Sequence, residues 1–314
     1  MFISPFELKR AGVMGMNQRN LDFIGRYNDR RQYPLVDNKL KTKRLSEQHG
    51  VNVPQLIAVV EKQHEIANIV QDLTKLSKFA IKPAKGSGGK GILVISDKAD
   101  EGFIKTSGQK VNLTDLERHF SNILAGLYSL SGAPDVAVIE SLIEFDDLFS
   151  GLSYEGVPDI RLIVFKGFPV MAMLRCATHE SDGKANLHQG AIGIGLDIAT
   201  GKSLQAMQHG QPIERHPDTG ADLLGINIPN WSDFLLLSAR CYEMTGLGYI
   251  GADLVLDKHE GPLLLELNAR PGLAIQIANQ AGLIPRLKYI ESLSEKHRSP
   301  SERIDISIQQ FSAG

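Results

Sequence analysis

Cysteine is scarce in this chain, with two in 314 residues. Cys176 and Cys241 stand far apart in apolar stretches, which excludes a disulfide framework or a zinc site and predicts reduced core residues. An excess of one charge is also missing: 34 Lys and Arg against 36 Asp and Glu leave a formal net charge of −2. That balance argues against a dominant phosphate-backbone partner, so no nucleic acid is expected, although a local basic groove stays open. No apolar run reaches transmembrane length, and the N-terminus, carrying Glu7, Lys9 and Arg10, has no secretory hydrophobic region. No membrane insertion and a cytoplasmic location are therefore expected. Internal repeats are absent. What remains, 42% hydrophobic and 22% charged, is enough to bury a substantial core, as one large domain or two to three lobes.

The stretch that organises the chain is Tyr249 to Gly272, Y-I-G-A-D-L-V-L-D-K-H-E-G-P-L-L-L-E-L-N-A-R-P-G. Two alternating apolar runs, Gly251 to Leu256 and Leu263 to Asn268, flank a charged Gly-Pro turn, which predicts two strands joined by a short loop. Side chains alternate along a strand, so Glu266 and Asn268 share a face. A register pairing Val255 with Leu264 places Asp253 opposite Glu266 on that face. Two carboxylates and an amide oxygen gathered among leucines repel one another and lack water, so they need a cation. Hard oxygen ligands in this number suit Mg²⁺ held partly by substrate phosphates. The alternative is that the acids decorate the solvent face of an ordinary hairpin.

A second signal lies upstream. The strand Phe79-Ala80-Ile81 leads into K-P-A-K-G-S-G-G-K-G, residues 82–91, and Ile92 to Ile95 read as another strand. G-S-G-G-K-G formally satisfies the dinucleotide fingerprint, but that motif must open a helix and here a β-branched run follows. A P-loop G-x-x-x-x-G-K-[ST] is absent, as are the kinase motifs H-R-D and D-F-G. A strand-loop-strand flap remains. Its glycines let backbone N–H groups approach phosphate oxygens, and Lys82 and Lys90 supply charge. The competing reading is a mobile hairpin turn.

Other elements follow in order. Ser4-Pro5-Phe6-Glu7 has the form of a helix start. Leu21, Ile24 and Tyr27 stand at helical spacing in an Arg- and Asn-rich stretch and predict a solvated helix packed on one side. Asp37 caps a helix carrying Lys39, Lys41, Lys43 and Arg44, read as a solvated cationic face, which ends at Gly50. Ile66, Ile69, Val70, Leu73 and Leu76 mark an amphipathic helix. Residues 96–112 are polar and predict a loop, and Thr114-Asp115-Leu116-Glu117 a capping box. Glu140, in the apolar strand 135–143, needs a donor; an adenine amino group, a structural Arg or backbone pairing would each serve. Arg161 and Arg175 fall on successive strands, where they can clamp phosphate or carboxylate or join surface ion pairs. His188 in N-L-H-Q-G reads first as a structural histidine. Trp231-Ser232-Asp233 caps a helix, residues 273–296 look helical, and 297–314 read as a flexible tail.

The order of these pieces resembles the ATP-grasp superfamily of carboxylate-amine ligases, and within it the RimK-type α-L-glutamate ligases, from about Val36 to Leu293. The motifs are D-N-K-L-K-T-K-R-L with G-V-N-V-P, F-A-I-K-P-A-K-G-S-G-G-K-G, V-I-E-S-L-I, D-I-R, R-C-A-T, N-L-H-Q-G, and G-A-D-L-V-L-D with L-E-L-N-A-R-P-G. The resemblance implies an α+β ATP-grasp fold, two α/β lobes clasping ATP. A short helical N-terminal segment, 1–36, stands in place of the usual Rossmann-like domain, followed by a catalytic domain, 37–296, with its nucleotide-clasping lobe at about 79–142. It implies that Lys39 and Lys82 contact ATP phosphates, that Gly86, Ser87, Gly88, Gly89, Lys90 and Gly91 fold over them, that Glu140 and the backbone near Leu142 hold adenine, and that Asp159 meets the ribose. Asp253, Glu266 and Asn268 would bind two Mg²⁺, or Mn²⁺. Arg270 with Arg175, and Arg161 beside them, would stabilise the transferring phosphoryl group or the acyl intermediate, while Asn186 and His188 would line the carboxylate substrate or the surroundings of the second metal.

The activity so implied is amide formation through an acyl phosphate, joining glutamate or a similar amino acid to an amine-bearing acceptor, in a possible homo-oligomer. The alternatives are a nucleotide-binding regulatory module without chemistry, and another ATP-grasp reaction such as carboxylation.

Overall fold

The computed structural model describes residues 4–86, 88–129, 132–294 and 296–313. It divides into two compact units, a smaller one of Asp37–Arg44 and Val53–Glu144 and a larger one of Met1–Val36, Leu45–Asn52 and Phe145–Gly314. Segment 1–36 and the C-terminal residues thus belong to the larger unit. The class is α+β, with one antiparallel sheet in each unit. Among the described residues no helix is long and apolar enough to cross a membrane.

The smaller unit is built on six strands, β1 (Leu56–Val60), β2 (Phe79–Pro83), β3 (Leu93–Ala99), β4 (Gly102–Lys105), β5 (Lys110–Val111) and β6 (Ala137–Glu140). Their order is β1-β6-β2-β3-β4-β5, with every pairing antiparallel. The helices Ile66–Leu73 and Leu113–Leu124 turn Ile66, Val70 and Leu73, and Leu116, Phe120, Ile123 and Leu124, into a core with Phe79, Ile81, Ile95 and Phe103. Three local expectations change. Residues 96–112 carry the end of β3 and all of β4 and β5 rather than a loop, because an edge hairpin buries only one face and keeps a polar sequence. The cap of the helix Leu113–Leu124 is Asn112, whose side chain accepts from Asp115 N at 2.8 Å, rather than Thr114. At the helix Lys39–Gln48, Asn38 Oδ1 accepts from Lys41 N at 3.0 Å, so the cap falls one residue past Asp37.

The larger unit holds seven strands, β7 (Asp159–Phe165), β8 (Phe168–Cys176), β9 (Ile192–Leu196), β10 (Ser203–Gln208), β11 (Gln211–Ile213), β12 (Tyr249–Asp257) and β13 (Gly261–Asn268), in the order β11-β10-β9-β8-β7-β12-β13. Cys176 and Cys241 are buried free thiols in this unit, and burial pushes Cys241 up to about 12. The helical run expected over 273–296 is two pieces, Ile275–Ala278 and Ile284–Ser292. Gly282 lies between them, where a Cβ would collide with the backbone of Gly12. The expected loose tail is a helix, Pro300–Phe311, with Ile304 and Phe311 buried. Its Ser299-Pro300-Ser301-Glu302 start repeats the Ser-Pro-x-Glu form of residues 4–7, and both are closed capping boxes.

The N-terminal segment departs from a regular helix. Arg19–Ile24 is a π-turn that buries Phe23 and Ile24 and leaves Leu21 74% exposed. A wider turn moves side chains off the 3.6-residue stripe, so Leu21 and Ile24 do not share a face as their spacing predicts.

Candidate functional site

In the larger unit, strand register decides the site. Asp253 pairs with Arg161 on one side and Glu266 on the other, Asp159 pairs with Arg175, and Gly251 with Asn268. Since side chains alternate, Arg175, Asp159, Arg161, Asp253, Glu266 and Asn268 fall on one face of β8, β7, β12 and β13. The expected opposition of Asp253 and Glu266 is present, but Val255 faces Leu263 rather than Leu264. A β-bulge between Asp253 and Leu254 accommodates the extra Leu265 and resets the phase.

Arg161 donates to both oxygens of Asp253, Nε to Oδ1 at 2.7 Å and Nη2 to Oδ2 at 2.5 Å. Arg175 does the same for Asp159, with Nε to Oδ1 at 2.5 Å and Nη2 to Oδ2, and its Nη2 also lies 3.0 Å from Asp253 Oδ2. Asn268 Nδ2 donates to Asp253 Oδ2 at 3.1 Å. Asp159, Arg175 and Asp253 are buried. Burial would raise the Asp253 carboxyl, but Arg161 and Arg175 outweigh it and hold Asp253 below the usual carboxylate range. Asp159 is raised by burial, with the neighbouring Asp253 charge adding to it against Arg175. Two bidentate pairs thus lie interlocked on one patch of sheet.

A divalent cation can be tested against this donor set. Among the described residues no group of three or more His, Cys, Asp or Glu is arranged to hold a metal, so an amide must complete any set here. Glu266 and Asn268, both half-buried and two residues apart on one strand, supply hard oxygens once the Asn268 amide is turned to present Oδ1. Asp253 is the shared third donor, with Oδ2 engaged by Arg161, Arg175 and Asn268, and Oδ1 by Arg161. The residues fit a hard cation, which would have to compete with Arg161 for Asp253.

In the smaller unit, Glu140 on β6 is buried and paired with Lys43 at 2.9 Å and with Lys82 on β2. Burial would raise it, but Lys82 and Lys43 together hold it below its ordinary range. Lys43 Nζ also reaches Pro54 O, so Lys43 is an inward residue rather than part of a solvated cationic face. Lys39 Nζ donates to Gly86 O at 2.8 Å, and Lys39 N to Ala84 O at 2.8 Å. This ties the helix start to the glycine-rich turn between the antiparallel strands β2 and β3. Gly88, Gly89 and Gly91 have φ of 63°, 74° and 76°. A Cβ on Gly88 or Gly89 would meet open space, whereas one on Gly91 would run into the Tyr128 ring.

Residues 18–292 match the profile of the family described as sugar-transfer associated ATP-grasp. The chain belongs to that family. Among solved structures, this ATP-grasp chain is similar to D-alanyl-alanine synthetase A from Vibrio cholerae O1 biovar eltor (9% identity, TM-score 0.49, covering 89% of this chain and 66% of that one). It is also similar to the ATP-grasp ligase PsnB complexed with minimal precursor (14%, 0.44, 90% and 63%) and to D-alanine--D-alanine ligase from Bacillus anthracis (15%, 0.42, 89% and 69%). The chain spans 63% and 66% of the length of the first two solved structures it matches. Curated proteins give no significant match.

Within this ATP-grasp chain, the residues expected at the site divide into three groups. Arg161, Arg175, Asp253, Glu266 and Asn268 are brought together in the larger unit, and Asp159 joins them as the partner of Arg175, an arrangement that leaves it engaged rather than turned to a ribose. Lys82 and Glu140 are brought together in the smaller unit, where the donors to Glu140 are two lysines, an outcome outside the three weighed from the sequence. Asn186 and His188 are exposed, Asn186 Oδ1 accepting from His188 N at 3.1 Å in a short 3₁₀ turn. Arg270 is exposed and its guanidinium stands 5.3 Å from the centroid of the Tyr33 ring. Leu142 is half-buried outside any strand, and Ser87 lies outside the described residues. The sequence reading missed Lys43 and Tyr33. Lys43 sits four residues from Lys39, hence on the same helix face, and that spacing was a usable signal. Nothing in sequence pairs Tyr33 with Arg270.

Proposed function

We propose that this chain is an ATP-dependent carboxylate-amine ligase that forms an amide through an acyl phosphate. The observation that carries the reading is the ionic patch of Arg161, Arg175, Asp253, Glu266 and Asn268, gathered by register from four strands. Glu266 and Asn268, two hard-oxygen side chains on one face of β13 beside a carboxylate bracketed by two guanidinium groups, suit a cation-bound phosphate.

The chemistry follows from charge. A substrate carboxylate attacks the γ-phosphorus of ATP, the bond to the β-bridging oxygen breaks, and ADP leaves. An amine then attacks the acyl carbon, loses a proton and expels phosphate. Carboxylate and triphosphate repel, and at close range in a site of low dielectric that repulsion reaches several kcal/mol. Glu266, Asn268 and Asp253 would hold Mg²⁺ or Mn²⁺, which when bound supplies Lewis-acid charge neutralisation on the phosphate oxygens. Arg175 and Arg161 present guanidinium groups to the same face, and Arg270 follows two residues after Asn268 in the chain. In the smaller unit, Lys39 and the backbone N–H groups of the turn at 86–91 suit phosphate oxygens, and Glu140 holds Lys82 in place.

Glutamate heads the carboxylates to test, because the motif resemblance lies nearest the RimK-type glutamate ligases. The family description, sugar-transfer associated ATP-grasp, is the reason to include sugar-linked amines in the acceptor screen beside amino acids and peptides. The test is phosphate release from ATP, screened across carboxylates and amines. Amino-acid-stimulated release that Glu266→Gln abolishes supports the reading. Release dependent on bicarbonate, or no turnover with retained nucleotide binding, replaces it with a carboxylase or a binding module.

A further inference from the structure

Three consecutive residues after β13 are each met by a different residue of the N-terminal segment, two at the backbone carbonyl and the middle one at its side chain. Asn28 Nδ2 donates to Ala269 O at 3.1 Å, Tyr33 lies under the Arg270 guanidinium at 5.3 Å, and Arg19 Nη1 donates to Pro271 O at 2.8 Å. Asn28 is buried and also closes on β12, its Oδ1 accepting from Tyr249 N at 2.8 Å and its Nδ2 donating to Tyr249 O at 2.7 Å. The segment is anchored further by Gln276, which accepts from Met14 N at 2.8 Å and donates to Met14 O at 3.1 Å, and by the ring cluster of Phe23, Tyr27, Phe165 and Tyr249.

An exposed arginine at the end of a strand has many rotamers, and ordering it costs entropy at the moment it is used. A fixed backbone on both sides and an aromatic face below remove that freedom in advance. We infer that residues 19–33 are a built-in brace for Arg270, and that Tyr33 is a positioning residue setting the direction of its guanidinium. The inference rests on the ligase reading for what Arg270 does, but not for whether Arg270 is held. Arg30 and Arg31 share the 3₁₀ turn with Tyr33, and Asp29 caps that turn, its Oδ1 accepting from Arg31 N at 2.9 Å.

The experiment uses the full chain with Tyr33→Phe, Tyr33→Ala and Arg270→Ala. The Arg270 Nε–Hε order is read by ¹⁵N relaxation, and turnover by phosphate release. Expected is an ordered Nε–Hε in wild type and Tyr33→Phe, and a loose one in Tyr33→Ala with an unchanged melting temperature. In turnover, Tyr33→Ala lowers kcat roughly 10- to 100-fold with little change in KM for ATP, Tyr33→Phe restores it, and Tyr33→Ala has no further effect in an Arg270→Ala background. Unchanged Nε–Hε order in Tyr33→Ala overturns the brace. Loss of order without turnover in any variant, wild type included, keeps the brace and removes the ligase reading.

Discussion

Asp253 on β12 stands in register with Arg161 on β7 and accepts from its Nε and Nη2 at 2.7 and 2.5 Å. The carboxylate expected to hold a cation is therefore already balanced by protein charge, and Arg175 adds a second guanidinium at 3.0 Å. Removing that carboxylate strips Arg161 of its bidentate partner and leaves Arg175 with Asp159. Asp253→Asn is expected to lose about 3 to 5 kcal/mol of folding stability, the usual cost of breaking a buried pair, seen as a lower denaturant midpoint. A change near zero would show that solvent screens the patch.

On the proposed reading a divalent cation would share Asp253 with Arg161, and the two would oppose each other. Arg161→Gln is expected to tighten Mn²⁺ binding several-fold by calorimetry or electron paramagnetic resonance, whereas Glu266→Gln weakens it at least tenfold. Equal affinity in all three proteins would place the ion elsewhere.

Acid sensitivity follows from two buried carboxyls that their cationic partners hold low. Asp253 and Glu140 titrate lower folded than unfolded. Each therefore contributes stability that is full above the ordinary carboxylate range near pH 4 and is lost as pH falls through the folded value. Asp159, raised by burial, has the opposite sign: it costs stability at neutral pH, and that cost is relieved on acidification. Glu140→Gln is expected to be less stable at pH 7, with a flatter dependence between about pH 5 and 2, measured by urea unfolding across pH.

The glycine-rich turn separates two kinds of glycine. Gly88→Ala meets open space and bears only the left-handed strain, roughly 1 to 2 kcal/mol. Gly91→Ala adds a collision with Tyr128 and is expected to destabilise more in thermal unfolding. If Gly91→Ala proved the milder of the two, the ring would not be seated where it is described.

The parts legible in sequence were those set by alternation. Period-two runs placed Asp253 opposite Glu266 and put Arg161 and Arg175 in one sheet, because a buried face fixes register. Capping boxes marked the helix at 5–10 for the same reason of local chemistry, and the identical form at 299–302 was passed over. What alternation could not carry was partner choice between distant strands. The Arg161–Asp253 and Arg175–Asp159 pairs join residues 92 and 16 positions apart. Glu140 finds Lys43 only because the helix Lys39–Gln48 turns that lysine inward. Tyr33 reaches Arg270 from the 3₁₀ turn Arg30–Leu35, across more than two hundred residues of chain that no local pattern links.

The extra Leu265 in β13 works as a slip joint. Toward the turn at 258–260 the hairpin keeps one phase, with Leu263 facing Val255, and toward its open end it keeps another, with Glu266 facing Asp253. Changes in the length of the turn can thus be absorbed before they travel up the ribbon. The acids beyond the joint, pinned from the β7 side by Arg161, hold their bearing.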